Sequence, residues 1–216
     1  MKKINTTNGV YEYKEKHFEN GIKKIDRDVA RDNLLSLKSL LDSNNVLFGL
    51  IYGTLLGAIR ENNFIAHDED TDLFMLDENK ADFLDALLEL REIGFEVGRY
   101  SGSLISIIRN DEYIDIYFFK KTKTNIRECE GYIIKTTFLE NLQKYTFLGK
   151  DFNIPQNPEE LLVCLYGKDW KTPMEGRPAT NFSLYLRFVI LFEKNLPTVY
   201  GLLKLLRRKL KSNFNR

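Results

Sequence analysis

The chain has 216 residues, 43% of them hydrophobic and 12% aromatic, enough for one substantial core and too apolar for a disordered segment. Its 32 Lys and Arg against 31 Asp and Glu leave a net charge of +1, which argues against a protein that coats nucleic acid through a basic excess. The two cysteines, Cys129 and Cys164, stand far apart and exclude a disulfide framework or a thiolate metal site, so the expected compartment is the reduced cytoplasm.

Residues 1–20 are polar and aromatic without a clear period, and their lysines precede no apolar run of the kind a secretory signal carries. From Ile22 to Leu41 the apolar residues Ile25, Val29, Leu34, Leu37 and Leu41 recur at near-helical spacing and predict an amphipathic helix, ended by Ser43-Asn44-Asn45. "VLFGLIY" (46–52) reads as a buried strand stopped by Gly53, and Thr54–Asn62 as a short helix. The uncharged stretch Val46–Ile59 is broken by three glycines and falls short of the ~20 residues that a membrane span needs.

Asp70–Leu76 is the next expected strand. Asp77–Gly94 then reads as one helix with Phe83, Leu84, Leu87, Leu88 and Ile93 as its apolar stripe, Asp77 as cap and Gly94 as stop. Strands are expected at Phe95–Tyr100, Leu104–Arg109 and Tyr113–Phe119, and a further strand pair within 131–154. "NPEELLVCLYG" places Pro158 at a helix start and Gly167 at its end. Phe182–Lys194 and Leu202–Leu210 are helical candidates. With no repeat or linker in sight, the whole reads as one mixed α/β domain, with its core at about 22–173 and a helical extension at about 180–216.

The chemistry concentrates at 68–72, where Asp68, Glu69, Asp70 and Asp72 crowd directly against an apolar run. On a strand, alternate residues share a face, so Asp70 and Asp72 project together, with Asp68 of the same parity before them. Carboxylates held close in a partly desolvated place repel unless a cation lies between them. Such an oxygen-rich set suits magnesium or manganese. Asp115, alone among apolar neighbours in "YIDIYFF", becomes a third metal ligand or a general base if its strand neighbours the first. Gly53-Thr54, between a strand and a helix, offers backbone amides to a phosphate.

"YGTLLGAIRENNFIAHDEDTDLFM" (52–75) resembles the signature of the LicD/fukutin-like branch of the nucleotidyltransferase superfamily. "YIDIYFF" is similar to that superfamily's later carboxylate strand, and "IPQNPEELLVCLYGKDWKTP" to the family's C-terminal segment. His67 stands where Trp is common there, Glu69 replaces an Asp, and Thr71 replaces an aliphatic residue; these departures bear on donor fit. The resemblance implies an α/β (α+β) fold, a nucleotidyltransferase-like mixed sheet flanked by helices with additional C-terminal helices. It also implies magnesium- or manganese-dependent transfer of a phospho-alcohol group, such as phosphocholine, ribitol phosphate or glycerol phosphate. The donor would be CDP-linked, and the acceptor a hydroxyl of a cell-surface glycan or its lipid-linked precursor.

Under that reading Asp70, Asp72 and Asp115 are catalytic and bind metal together with Asp68, while Gly53, Thr54, Arg60 and His67 serve the donor. Arg60 pairs either with a phosphate or with the acidic cluster, and His67 either positions the donor or lines the pocket. Tyr166, Lys168 and Trp170 contact acceptor or nucleobase, or else simply end a helix. Two other functions stay open: nucleotidyl transfer from an NTP, and a non-catalytic binding module, which would require a lost carboxylate. The tail "YGLLKLLRRKLKSNFNR" has six basic residues and no acidic one, and either rides on an anionic membrane surface or packs its leucines on the domain.

Overall fold

The first 13 residues, which show no clear period in the sequence, form a hairpin. β1 (Lys2–Thr6) and β2 (Gly9–Tyr13) pair antiparallel and bury Ile4, Tyr11 and Tyr13 in the main core. The computed structural model describes residues 1–16 and 23–174, all within a unit spanning Met1–Asn181. The core therefore starts earlier than residue 22. The helical candidates at 182–194 and 202–210, and with them the membrane reading of the tail, lie outside the described residues.

Helix α1 (Arg27–Ser43) begins later than its apolar period implied, because the Asp26 carboxylate accepts the N–H groups of Asp28 and Val29 and fixes the first turn. Leu34, Leu37 and Leu41 are fully enclosed, each contributing about 1.5–3 kcal/mol of burial. Upstream of the cap, the Ile25 N–H donates to the Asp68 carbonyl at 2.8 Å and ties this segment to the acidic loop.

The apolar run 46–52 yields only a two-residue strand, β3 (Gly49–Leu50), before Tyr52 opens α2 (Tyr52–Glu61). β4 (Thr71–Leu76) follows as expected. The long helix expected at 77–94 is broken into a 3-10 turn (Asp77–Asn79), α3 (Lys80–Asp85) and α4 (Leu87–Glu92). The β1–β2 turn explains the break. Thr7 donates to the Asp85 carboxylate, and the Asn8 side chain takes the Asp85 carbonyl at 3.1 Å, competing for an acceptor that a continuous helix needs.

Next come β5 (Glu96–Tyr100), β6 (Leu104–Arg109), β7 (Glu112–Lys123), β8 (Ile126–Cys129), β9 (Tyr132–Lys135), α5 (Thr136–Glu140), β10 (Leu142–Phe147), β11 (Lys150–Pro155) and α6 (Pro158–Tyr166). The central sheet runs β3-β4-β7-β6-β5, with β8 and β9 continuing from β7. β4 and β7 are parallel, and the remaining pairs are antiparallel. This is the mixed sheet with flanking helices that the resemblance implied: α1 packs on β7, and α2 on β4 and α6. No helix among the described residues is long and apolar enough to cross a membrane.

Candidate active site

The acidic end of β4 is built by the turn that joins β3 to α2. The Gly53 N–H donates to Asp72 Oδ2 at 3.0 Å, and the Asp72 N–H donates to Thr54 Oγ1 at 2.8 Å. Thr54 is buried, so its hydroxyl holds β4 in place instead of facing a ligand. Gly53 is needed for room: a Cβ there would lie 2.2 Å from Asp68 Oδ2. The amide expected to cradle a phosphate is thus engaged by Asp72, and Asp68 closes over the glycine.

Strand register supplies the rest. Asp72 is the partner of Asp115 across the parallel β4–β7 pair, Asp115 of Ser106 across β7–β6, and Ser106 of Arg99 across β6–β5. Four polar side chains therefore form one row across four strands. The Ser106 hydroxyl donates to Asp115 Oδ1, Arg99 Nη2 donates to Asp115 Oδ2 at 2.9 Å, and Arg99 Nε donates to Ser106 Oγ at 3.1 Å. Asp115 lies beside the first strand, as the cost of burying it implied, but the cation next to it is the Arg99 guanidinium. Asp115 also stands close enough to Asp70 and Asp72 for its charge to raise the pKa of both. Among the described residues no group of three or more His, Cys, Asp or Glu side chains is arranged to hold an ion.

Asp68, Asp70 and Asp72 form no salt bridge among the described residues, and the more distant charges of Arg60 on Asp68 and Arg99 on Asp70 only partly oppose the rise in their pKa values. Burial raises the Asp70 and Asp72 carboxyls well above the ordinary range. Mutual repulsion adds to it, from Asp115 and Asp68 on Asp70, and from Asp70 and Asp68 on Asp72. Burial pushes Asp68 up to about 6. Asp115 is also raised by burial, against the opposing pull of Arg99 and Ser106. In donor type the residues fit magnesium or manganese, with Asp68, Asp70 and Asp72 outside any salt bridge among the described residues and Asp115 paired with Arg99.

These carboxylates line a cavity of about 540 Å³ together with Gly53, Arg60, His67, Tyr166 and Trp170. Asp115, Thr54 and the exposed Lys168 are not part of its lining. Arg60 pairs with Glu61 Oε1 at 2.6 Å and donates to the Trp170 carbonyl at 3.4 Å, bridging α2 to the segment after α6. Sequence reasoning missed Arg99 and Ser106, whose only signal was a polar residue at matching positions in two adjacent strands. It also passed over Tyr52, Tyr113, Tyr117 and Tyr132, all of which line the same cavity.

Residues 45–157 match the family model described as LicD/FKTN/FKRP, nucleotidyltransferase domain. An uncharacterized protein of Rickettsia typhi is 32% identical over 84 residues, covering 39% of this chain and 26% of that protein. The ribitol-5-phosphate transferases FKTN of Macaca fascicularis and Homo sapiens are each 29% identical over 163 residues, 69% of this chain and 34% of theirs. The chain therefore spans about a third or less of the length of the curated relatives it matches. Among solved structures, the antibiotic-resistance factor ANT(2'')-Ia has a TM-score of 0.49 at 12% identity, over 88% of this chain and 98% of its own. The lincosamide antibiotic adenylyltransferase LnuA, lincomycin-bound, has a TM-score of 0.44 at 14% identity, over 61% and 83%.

Proposed function

The chain belongs to the LicD/FKTN/FKRP nucleotidyltransferase-domain family, and from that premise we propose that it transfers a phospho-alcohol group. The donor is a CDP-linked alcohol, and the acceptor is a hydroxyl of a cell-surface glycan or its lipid-linked precursor. The observation that carries this reading is the cavity with Asp68, Asp70 and Asp72 on its wall, buried carboxyls with raised pKa values and no salt bridge among the described residues. Charge left in that state in a folded protein calls for a cationic ligand.

Asp70 and Asp72 are the residues that would hold magnesium or manganese. When bound, the ion supplies charge neutralisation for the donor diphosphate. Gly53 and Thr54 keep Asp72 in position through its carboxylate and its backbone N–H. Asp115 and Ser106 hold the Arg99 guanidinium on the same row, where its positive charge opposes the rise in the Asp70 pKa. Tyr166 and Trp170 give the donor or acceptor apolar wall area. His67 sits at the same wall as a donor contact.

Incubation with magnesium and a panel of CDP-choline, CDP-ribitol, CDP-glycerol and NTPs, followed by phosphorus NMR, tests the reading. Release of CMP from a CDP-alcohol is the expected result. Release of pyrophosphate from an NTP, with every CDP-alcohol untouched, would replace phospho-alcohol transfer by nucleotidyl transfer.

A further inference from the structure

Tyr52 carries several costs at once. Its φ is 45°, in the left-handed region where a bulky L residue is strained and glycine or asparagine is the relaxed choice. Its side chain is buried, with 5% of the residue exposed, yet its hydroxyl has no hydrogen-bond partner among the described residues. A buried unpartnered hydroxyl is rare in a folded protein. Replacement by Phe would remove that cost, and replacement by Gly would remove the backbone strain as well. No contact of the hydroxyl among the described residues accounts for keeping the phenol.

The position of Tyr52 accounts for it. It is the first residue of α2, immediately before Gly53, whose amide holds Asp72, and it lines the same cavity as the three aspartates. Its ring packs on Tyr117 at 5.0 Å between centroids and on Tyr132 at 4.9 Å. Tyr117 belongs to the central strand β7, whereas Tyr132 sits on the short β9, which pairs only with β8. Burial keeps the Tyr52 hydroxyl protonated, with Tyr132, Cys129 and Asp72 adding to that, so it serves as a hydrogen-bond donor.

We propose that Tyr52 is a substrate-contacting residue: its phenol donates a hydrogen bond to an oxygen of the nucleotide-linked donor when that molecule fills the cavity, with the Tyr132 ring giving way. The proposal rests on the phospho-alcohol reading of the site. Strain and an unmet donor next to the carboxylates are the signs of a wall prepared for a ligand.

The test uses Tyr52→Phe and the chain's single tryptophan, Trp170, which lines the same cavity and reports ligand entry by its fluorescence. With magnesium present, wild type and variant are titrated with CDP-ribitol, CDP-glycerol and CDP-choline, and the ligand-free melting temperatures are compared. Loss of one hydrogen bond to the ligand predicts an affinity at least about fivefold lower in Tyr52→Phe, with a melting temperature equal to or above wild type. Equal affinity in the two proteins overturns the contact while leaving the phospho-alcohol reading standing. So does a lower melting temperature, which would show that the hydroxyl has a structural partner. Failure of the wild type to bind any of the three overturns both.

Discussion

β4 has acidic residues at both ends, and the two ends treat them differently. At its start, Asp70 and Asp72 line a cavity and form no salt bridge among the described residues, their carboxyls raised by burial and by neighbouring carboxylates. Just past its end, Glu78 meets Arg127, a buried guanidinium that also binds Glu140 and the Phe119 carbonyl. There the pairing holds both glutamates below the usual carboxylate range. Charge that serves only the fold is neutralised inside it. Charge left unpaired at the first end is what the proposed function assigns to a ligand.

Three experiments press on that contrast. The largest effect is expected at the first end. Under the proposed function Asp72→Asn should lower turnover about a thousandfold, because a group proposed to hold the metal would lose its charge. The metal-free variant should melt no lower than wild type, because one of the repelling charges is gone. Near-normal turnover at saturating magnesium would collapse the distinction between the two ends.

The second end should behave in the opposite way. Arg127→Met removes the donor to the Phe119 carbonyl and the partner of both glutamates, and should cost about 2 kcal/mol in denaturant unfolding. Turnover per folded molecule should stay within about twofold of wild type. A catalytic loss without a stability loss would mean that Arg127 works for the site.

The smallest effect is the response to pH without metal. Asp68 titrates near 6 when folded, above its ordinary 3.8, so the folded state holds the proton more tightly and stability falls as pH rises through that window. Glu78 and Glu140 are depressed below their ordinary 4.5, so their contribution is present above that value and is lost as pH falls through the folded one. Asp68→Asn should therefore flatten the decline between about pH 4 and 6, by no more than about 1 kcal/mol after solvent screening, and leave the acid limb unchanged. An unchanged slope in that variant would show that Asp68 is not held in a repelling site.

Much of this was legible in the chain because the decisive signals are local. Asp70, Asp72 and Asp115 stand out as charges inside apolar strands, and the price of burying Asp115 alone implied its adjacency to the first strand, which the β4–β7 register bears out. What escaped was non-local. Arg99 becomes the partner of Asp115 only through a strand register spanning three strands, and no periodicity reveals which residues face each other. The break at Ala86 was hidden because its cause, the turn at Thr7 and Asn8, lies about eighty residues upstream. Tyr52 looked like the end of a strand because its strained φ cannot be read from its type.

The parallel pairing of β4 with β7 has a consequence for how the protein fails. Because Asp72 faces Asp115 through a backbone ladder at the centre of the sheet, a slip of one residue would turn either carboxylate to the opposite face. The amides that set the spacing of the acidic groups belong to the segment expected to exchange hydrogen slowest. Fraying of the β1–β2 hairpin or of surface turns leaves that spacing untouched. Loss of the site and loss of the domain should then be a single event, and a partly unfolded chain with a distorted but working centre has no place on its landscape.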